Sequence, residues 1–399
     1  MDTRAVAVPT SVVVSTQASS SSSSSSSWWP LSTKGWLIVG GAVVSGLVLY
    51  LLRRRTRAAN AWQSPPGEYD DILKSLRSSE PQQTVALKQL YEYSRYPKKH
   101  DSIRQTGVLE ILLQILAQHP DNDVLLLHLT RVVANLAINE ENRLVLGRAS
   151  TVSDLFYLLE HTEDRIKEHI LRCLLNLSLE DVIEDVIRET GGLKQLTEMF
   201  ASPHTSPSVL FQTTRVLINL VHNANNRALT TQEGLVQQAV QRLTASATVE
   251  NIDFCLRLLN LVGLFAVDCA PEVLAQIATK ETAEAFNNLL SLSQSVDHVS
   301  TVLQATLKIL ARKHTQPQEV QPFIDALIEK TGPQPSGLEH VVAFYKNSDG
   351  PVLELARHVL ADLAENNEKA TSAINEIDPA LLSLGSSPST TDSADERAS

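Results

Sequence analysis

The sequence predicts an all-α protein: a right-handed superhelical solenoid of repeated helical units, preceded by a single transmembrane helix. Three observations carry this expectation. An uncharged apolar run, Trp36 to Leu52, lies near the N-terminus between Lys34 and Arg53. Further on, Asn135, Asn176, Asn219 and Asn260 recur at intervals of 41, 43 and 41 residues, and Gly107, Gly147, Gly192 and Gly234 at intervals of 40, 45 and 42. The composition, 43% hydrophobic with only 5% aromatic residues, suits aliphatic helix-on-helix packing better than strands.

Residues 1–35 form a Ser-rich tail with the low complexity of a flexible segment, including the run Ser19 to Ser27. The span 36–52 follows. A helix of seventeen residues rises roughly 25 Å, enough to cross the hydrocarbon of a bilayer with little tilt. Trp28, Trp29, Trp36 and Tyr50 lie near its ends, where amphipathic rings favour the headgroup layer. Arg53, Arg54, Arg55 and Arg57 follow it directly, so the positive-inside rule puts the C-terminal body in the cytosol. A cleaved signal peptide fits less well, because the run starts late and ends in arginines rather than small residues. The short, glycine-containing span with its basic flank resembles the signal anchors of mitochondrial outer-membrane proteins; an endoplasmic reticulum anchor is the alternative. Residues 53–68, with Ser64, Pro65, Pro66 and Gly67, read as basic flank and linker.

The body, residues 69–380, carries the repeats. LTRVVANLAINEENR, ILRCLLNLSLEDVIEDVIR and TTRVLINLVHNANNR nearly superimpose, and FCLRLLNLVG places Asn260 in the same frame. Each glycine precedes an apolar helix, as a residue for a tight turn would. Each unit therefore reads as turn, helix, turn, and a long helix bearing the asparagine. A period near 42 residues belongs to armadillo and HEAT arrays. LKQLYEYS on one side, and LQATLKILARKHT and LARHVLADLAENNEK on the other, read as degenerate terminal units that cap the stack. Residues 381–399 revert to Ser, Thr, Asp and Pro and read as a disordered tail.

On these motifs the chain resembles the armadillo-repeat family, whose units hold a short first helix and two longer ones, the last bearing an Asn-Leu pair. The resemblance implies a concave groove lined by third helices, with Asn135, Asn176, Asn219 and Asn260 bonding the backbone of an extended peptide. An amide offers both a donor and an acceptor, which matches one peptide group. The same asparagines would equally serve by bonding the neighbouring unit and setting the superhelix, and both roles stay open. Four residues earlier, on the same helix face, stand Arg131, Arg172, Arg215 and Leu256. Import receptors of this family hold tryptophan there, so ligands like nuclear-localisation signals are not expected. Guanidinium groups pair carboxylate and phosphate in bidentate fashion, which points to an acidic or phosphorylated segment; pairing with acidic neighbours inside the domain is the alternative.

No enzyme is expected. The chain holds no GxxxxGK[ST], GxSxG or HExxH motif, its eleven histidines are scattered, and Cys173, Cys255 and Cys269 show no CxxC or CxxH spacing. No cofactor and no metal are expected, and the cysteine usage suits a reducing compartment. Glu180, Asp181, Glu184 and Asp185 read as a solvated helix face rather than a calcium site. The formal net charge is −11, and six of the basic residues precede residue 61 with one acidic, leaving 28 basic and 44 acidic residues for 61–399. An acidic body argues against nucleic acid as a partner.

The order of parts, a short span, arginine cluster, linker, Tyr69-Asp70-Asp71 and degenerate repeats, is similar to the armadillo-repeat-containing family of the mitochondrial outer membrane. That likeness implies a membrane-anchored adaptor that binds a protein partner in its groove, with a role in mitochondrial distribution or dynamics. Two other functions are compatible with the sequence: a structural tether or self-associating component of a membrane complex, and the substrate-recruiting subunit of a ubiquitin ligase.

Overall fold

The computed structural model describes residues 67–246, 251–293, 295–330, 335–365 and 367–377. Among them lie 21 α-helices and one short 3-10 turn, and no strand. The expected span Trp36–Leu52, the flanking Arg53, Arg54 and Arg55, both tails and most of the linker lie outside the described residues. Among the described residues no helix is long and apolar enough to cross a membrane.

The helices fall into units of three. An abbreviated first unit holds α1 (Asp70–Leu76) and α2 (Glu80–Ser94). The second holds the 3-10 turn Pro97–Lys99 with α3 (His100–Gln105), then α4 (Val108–Gln118) and α5 (Asp123–Leu136). The third comprises α6 (Glu140–Leu146), α7 (Ala149–His161) and α8 (Asp164–Leu177). The fourth comprises α9 (Asp181–Glu189), α10 (Gly192–Ala201) and α11 (Pro207–Leu220). The fifth comprises α12 (Ala224–Gln232), α13 (Leu235–Ser246) and α14 (Ile252–Phe265). Then come α15 (Pro271–Ile277), α16 (Lys280–Leu292) and α17 (Val296–Leu310), followed by α18 (Pro317–Ile328), α19 (Gly337–Asn347) and α20 (Gly350–Ala364), and finally α21 (Glu368–Ile377).

Polar side chains set several boundaries by satisfying amides that a helix start leaves open. The Asn122 carbonyl oxygen accepts from the Leu125 amide at 3.0 Å, Asn139 from Asn142 at 3.1 Å, and Asn223 from Asn225 at 3.0 Å. Ser336 and Glu339 form a reciprocal capping box at the start of α19. The repeated glycines act by two mechanisms. Gly107, Gly191 and Gly234 have positive φ (74°, 81° and 80°) and turn the first helix of a unit into the second. Gly147 and Gly192, two of the four expected turn residues, do not adopt that conformation; they are small because something packs on them. A Cβ at Gly192 would fall 2.2 Å from the Phe156 ring, and one at Gly147 2.3 Å from Ile183.

Third helices pack one on the next, in the order α2, α5, α8, α11, α14, α17, α20. Between this row and the outer helices runs one continuous aliphatic core that includes Leu126, Leu129, Leu174, Leu217, Leu259 and Leu303, each essentially inaccessible. Each such leucine contributes about 2 kcal/mol of burial, and each side chain reaches only its own and adjoining units. That is the packing of a quasi-one-dimensional array.

Candidate binding face on the third helices

The asparagines lie near the C-terminal end of each third helix, where one face meets the preceding unit. Asn135 Nδ2 donates to Ser94 Oγ at 3.1 Å, Asn176 Nδ2 to the Ala134 carbonyl at 3.1 Å, and Asn219 Nδ2 to the Leu175 carbonyl at 3.2 Å and Ser178 Oγ at 3.1 Å. Each amide thus ties one third helix to the one before it. Their Oδ1 atoms accept no hydrogen bond from the described residues.

Asn260 departs from this frame. Just past the ends of α5, α8 and α11 the Ile138, Leu179 and His222 amides bond the carbonyls of Asn135, Asn176 and Asn219 at 3.2, 3.3 and 3.2 Å, whereas just past α14 the Val267 amide bonds the Leu264 carbonyl at 3.3 Å. Measured from the helix end, Leu264 stands in the ladder position and Asn260 in the place that Arg215 holds in α11. The letters LLNLVG match LINLVH, but α14 runs on to Phe265 because Leu261, Val262, Leu264 and Phe265 are all buried. Asn260 instead accepts from Lys308 Nζ at 3.4 Å, and Leu256 falls out of the arginine row into the core.

Arg131, Arg172 and Arg215 are half-buried on the same face. The Arg131 guanidinium lies 4.0 Å from the centre of the Tyr91 ring, and Arg215 Nη1 donates to Gln212 Oε1 at 2.9 Å. Arg257, which sequence spacing did not single out, joins them: its guanidinium lies 4.6 Å from the centre of the Phe211 ring and its Nε is buried without a hydrogen-bond partner. A count from helix ends rather than from asparagines would have found it, since Arg257 occupies the Gln212 position. None of the four forms an ion pair with the described residues.

Neighbouring groups register this unneutralised charge. Burial, reinforced by Arg172, Arg131 and Arg165, lowers the His169 imidazole to about 4. His128 is lowered by burial and by Lys88 and Arg131, and His222 by burial and by Lys308 and Arg227. Arg215 itself is lowered by burial, then by Arg257 and Arg172, and burial lowers Lys308. A strip of cations on successive helices, facing amides and aromatic rings, is chemically fitted to hold anionic side chains.

The other candidates resolve structurally. His161 stacks on Tyr157 with ring centres 4.1 Å apart. Cys173 is buried and its thiol is pushed up to about 12. The acidic set on α9 is not uniformly solvated as expected: Glu184 is buried beside Ile183 and Ile187, Glu180 pairs with Arg143, and Asp185 with Arg188 at 2.6 Å. Packing of α9 against its neighbours places one acid of that stripe inside.

Residues 71–245 match the family described as Armadillo-like, a match to somewhat under half of the chain. A crystal structure of an engineered protein has a TM-score of 0.62 at 20% identity, covering 79% of this chain and 72% of that one. A designed armadillo repeat protein in complex with the peptide (KR)4 has a TM-score of 0.52 at 17% identity, over 61% of this chain and 100% of that one. Computationally designed armadillo repeat proteins for modular peptide recognition give 0.52 at 17% identity, over 60% and 99%. The described body is an armadillo-like solenoid. No curated protein matches the chain. Within the armadillo-like body, the departures that matter are Asn260 and Leu256 leaving their expected rows and Arg257 joining the basic strip.

Proposed function

We propose that this chain is a non-catalytic adaptor: its armadillo-like body binds an acidic, extended protein segment along the third helices, while the span Trp36–Leu52 and the arginines after it hold the body at a membrane. The observation that carries the reading is the strip Arg131, Arg172, Arg215 and Arg257, which no carboxylate among the described residues neutralises although the body as a whole is acidic. Positive charge held without a partner costs stability, and an anionic ligand relieves that cost. The designed neighbour was solved with the basic peptide (KR)4; the cationic strip of this chain favours an anionic peptide. The apolar run and its basic flank support anchoring, and their likeness to mitochondrial signal anchors makes the outer mitochondrial membrane the expected address, with a role in the distribution of that organelle. Tethering at a surface raises the local concentration of whatever the body captures.

Proximity labelling in cells tests both halves at once. It compares the full chain with a chain lacking residues 1–57 and with the triple variant Arg131→Glu, Arg172→Glu, Arg215→Glu. The expected result is that the triple variant keeps its membrane and loses its partners, while the truncated chain leaves the membrane. Partners indifferent to the three arginines would sink the adaptor reading in favour of a structural tether.

A further inference from the structure

Arg172, Arg215 and Arg257 stand in a row on three third helices, α8, α11 and α14, that pack one on the next. Arg172 on α8 and Arg257 on α14 flank Arg215 on α11 closely enough to act on its charge. Their helices supply little to neutralise them. No acid occurs in α11; the single acid of α14, Asp253, faces His298 Nε2 at 3.5 Å; and Asp164 and Glu168 of α8 form no ion pair with the described residues. The geometry is also partly fixed in advance. The Phe211 ring holds the Arg257 plane, Gln212 holds one Nη of Arg215, and the buried Arg257 Nε still lacks an acceptor.

A carboxylate brings one negative charge and two oxygens, too little for three guanidinium groups. A phosphate monoester brings close to two charges and three acceptor oxygens, and guanidinium forks engage it in bidentate fashion. We propose that Arg172, Arg215 and Arg257 form a phosphate subsite that takes a phosphoserine or phosphothreonine side chain of the segment bound along the third helices. This rests on the groove-binding reading above and sharpens it from an acidic to a phosphorylated partner. The neighbouring amides of Gln212 and Asn260 on the same face supply further hydrogen bonds to the flanking backbone.

The test uses the full chain in nanodiscs of neutral lipid and fluorescence anisotropy with three labelled probes. One is a Glu/Gly peptide carrying a central phosphoserine, the second carries Glu at that place, and the third is a Lys/Gly peptide. The expected result is binding of the phosphopeptide about tenfold tighter than the Glu peptide, as added charge-assisted hydrogen bonds predict. In Arg257→Gln that ratio falls to about twofold, whereas Lys194→Gln, at an exposed pair with Glu198 on α10, leaves the ratio alone. Thermal melting of each variant verifies that it is folded. Equal affinity for the phosphopeptide and the Glu peptide, both above the Lys peptide, would overturn the phosphate subsite and leave the groove reading standing. No preference for either anionic peptide over the Lys peptide would overturn both. A phosphopeptide preference that survives Arg257→Gln and Arg172→Gln would move the site elsewhere and defeat the assignment. Competition by nanodiscs containing phosphoinositide, without any phosphopeptide preference, would make the ligand a lipid headgroup and defeat it too.

Discussion

Two rows of arginine recur along this body at the repeat spacing, and they live in opposite circumstances. On the first helices and their turns, Arg104 contacts Asp101, Asn139, Asn142 and Glu141, Arg143 contacts Glu180 and the Ile138 carbonyl, and Arg188 contacts Asp185 and Asn226. These arginines join one unit to the next and their charge is spent. On the third helices, Arg131 and Arg257 lie against rings and Arg215 against an amide, and neither these three nor Arg172 has an ionic partner among the described residues. One row holds the solenoid together; the other is kept available at some cost to it. The same residue type, recurring with the same period, therefore does different work according to which helix carries it.

The sharpest way to break this comparison is to truncate one arginine from each row. Arg143→Ala strands the largely covered Glu180 carboxylate, and unfolding free energy should fall by about 2 kcal/mol. Arg172→Ala removes a charge that has no ionic partner among the described residues, so its unfolding free energy in urea should stay within about 0.5 kcal/mol of the parent or rise. Equal losses in the two variants would erase the distinction. The asparagines set the next scale. Asn219→Ala, which loses bonds to Leu175 and Ser178, should cost about 1 kcal/mol and more than Asn260→Ala, whose residue has no such tie to the preceding unit; the same denaturation series ranks them.

Smaller effects come from proton linkage, and the two rows should show opposite signs. Burial raises the Glu184 carboxyl on α9 to about 7 against an ordinary 4.5. The folded state then binds the proton more tightly than the unfolded state, so stability is full below the unfolded value and is lost as pH rises from 4.5 to 7. His169 on α8 is held at about 4 against 6.5, so its contribution is full above 6.5 and is lost as pH falls from 6.5 to 4. Glu184→Gln should flatten the first slope and His169→Gln the second, read as urea midpoints across the pH range. If both variants changed the slope between about pH 4.5 and 6.5 in the same direction, the assignment of opposite environments would fail.

Helix content, the three long repeats and their period could be read from the chain because they are local: each of these units repeats its own apolar stripe, its ladder asparagine and a glycine at nearly constant spacing. Asn135, Asn176 and Asn219, with Arg131, Arg172 and Arg215, were found for the same reason. The fifth unit misled the spacing. Leu258, Leu259, Leu261 and Val262 surround Asn260 with aliphatic residues that fit several registers, and only the position at which α14 ends reveals that Leu264 holds the ladder place. The glycines were similarly legible as markers but not as causes, since Gly147 and Gly192 are small on account of Ile183 and Phe156, side chains from other helices.

The sequence by itself determined the class of the body, its repeat length and the residue types on its recurring face, because periodic burial is encoded residue by residue. Only the tertiary structure decided which arginines are neutralised, which asparagines tie adjacent units, and that Arg257 rather than Leu256 extends the basic strip. Those outcomes depend on which atoms of neighbouring units come within hydrogen-bonding distance, and one residue of shift along a helix turns a side chain by about 100°.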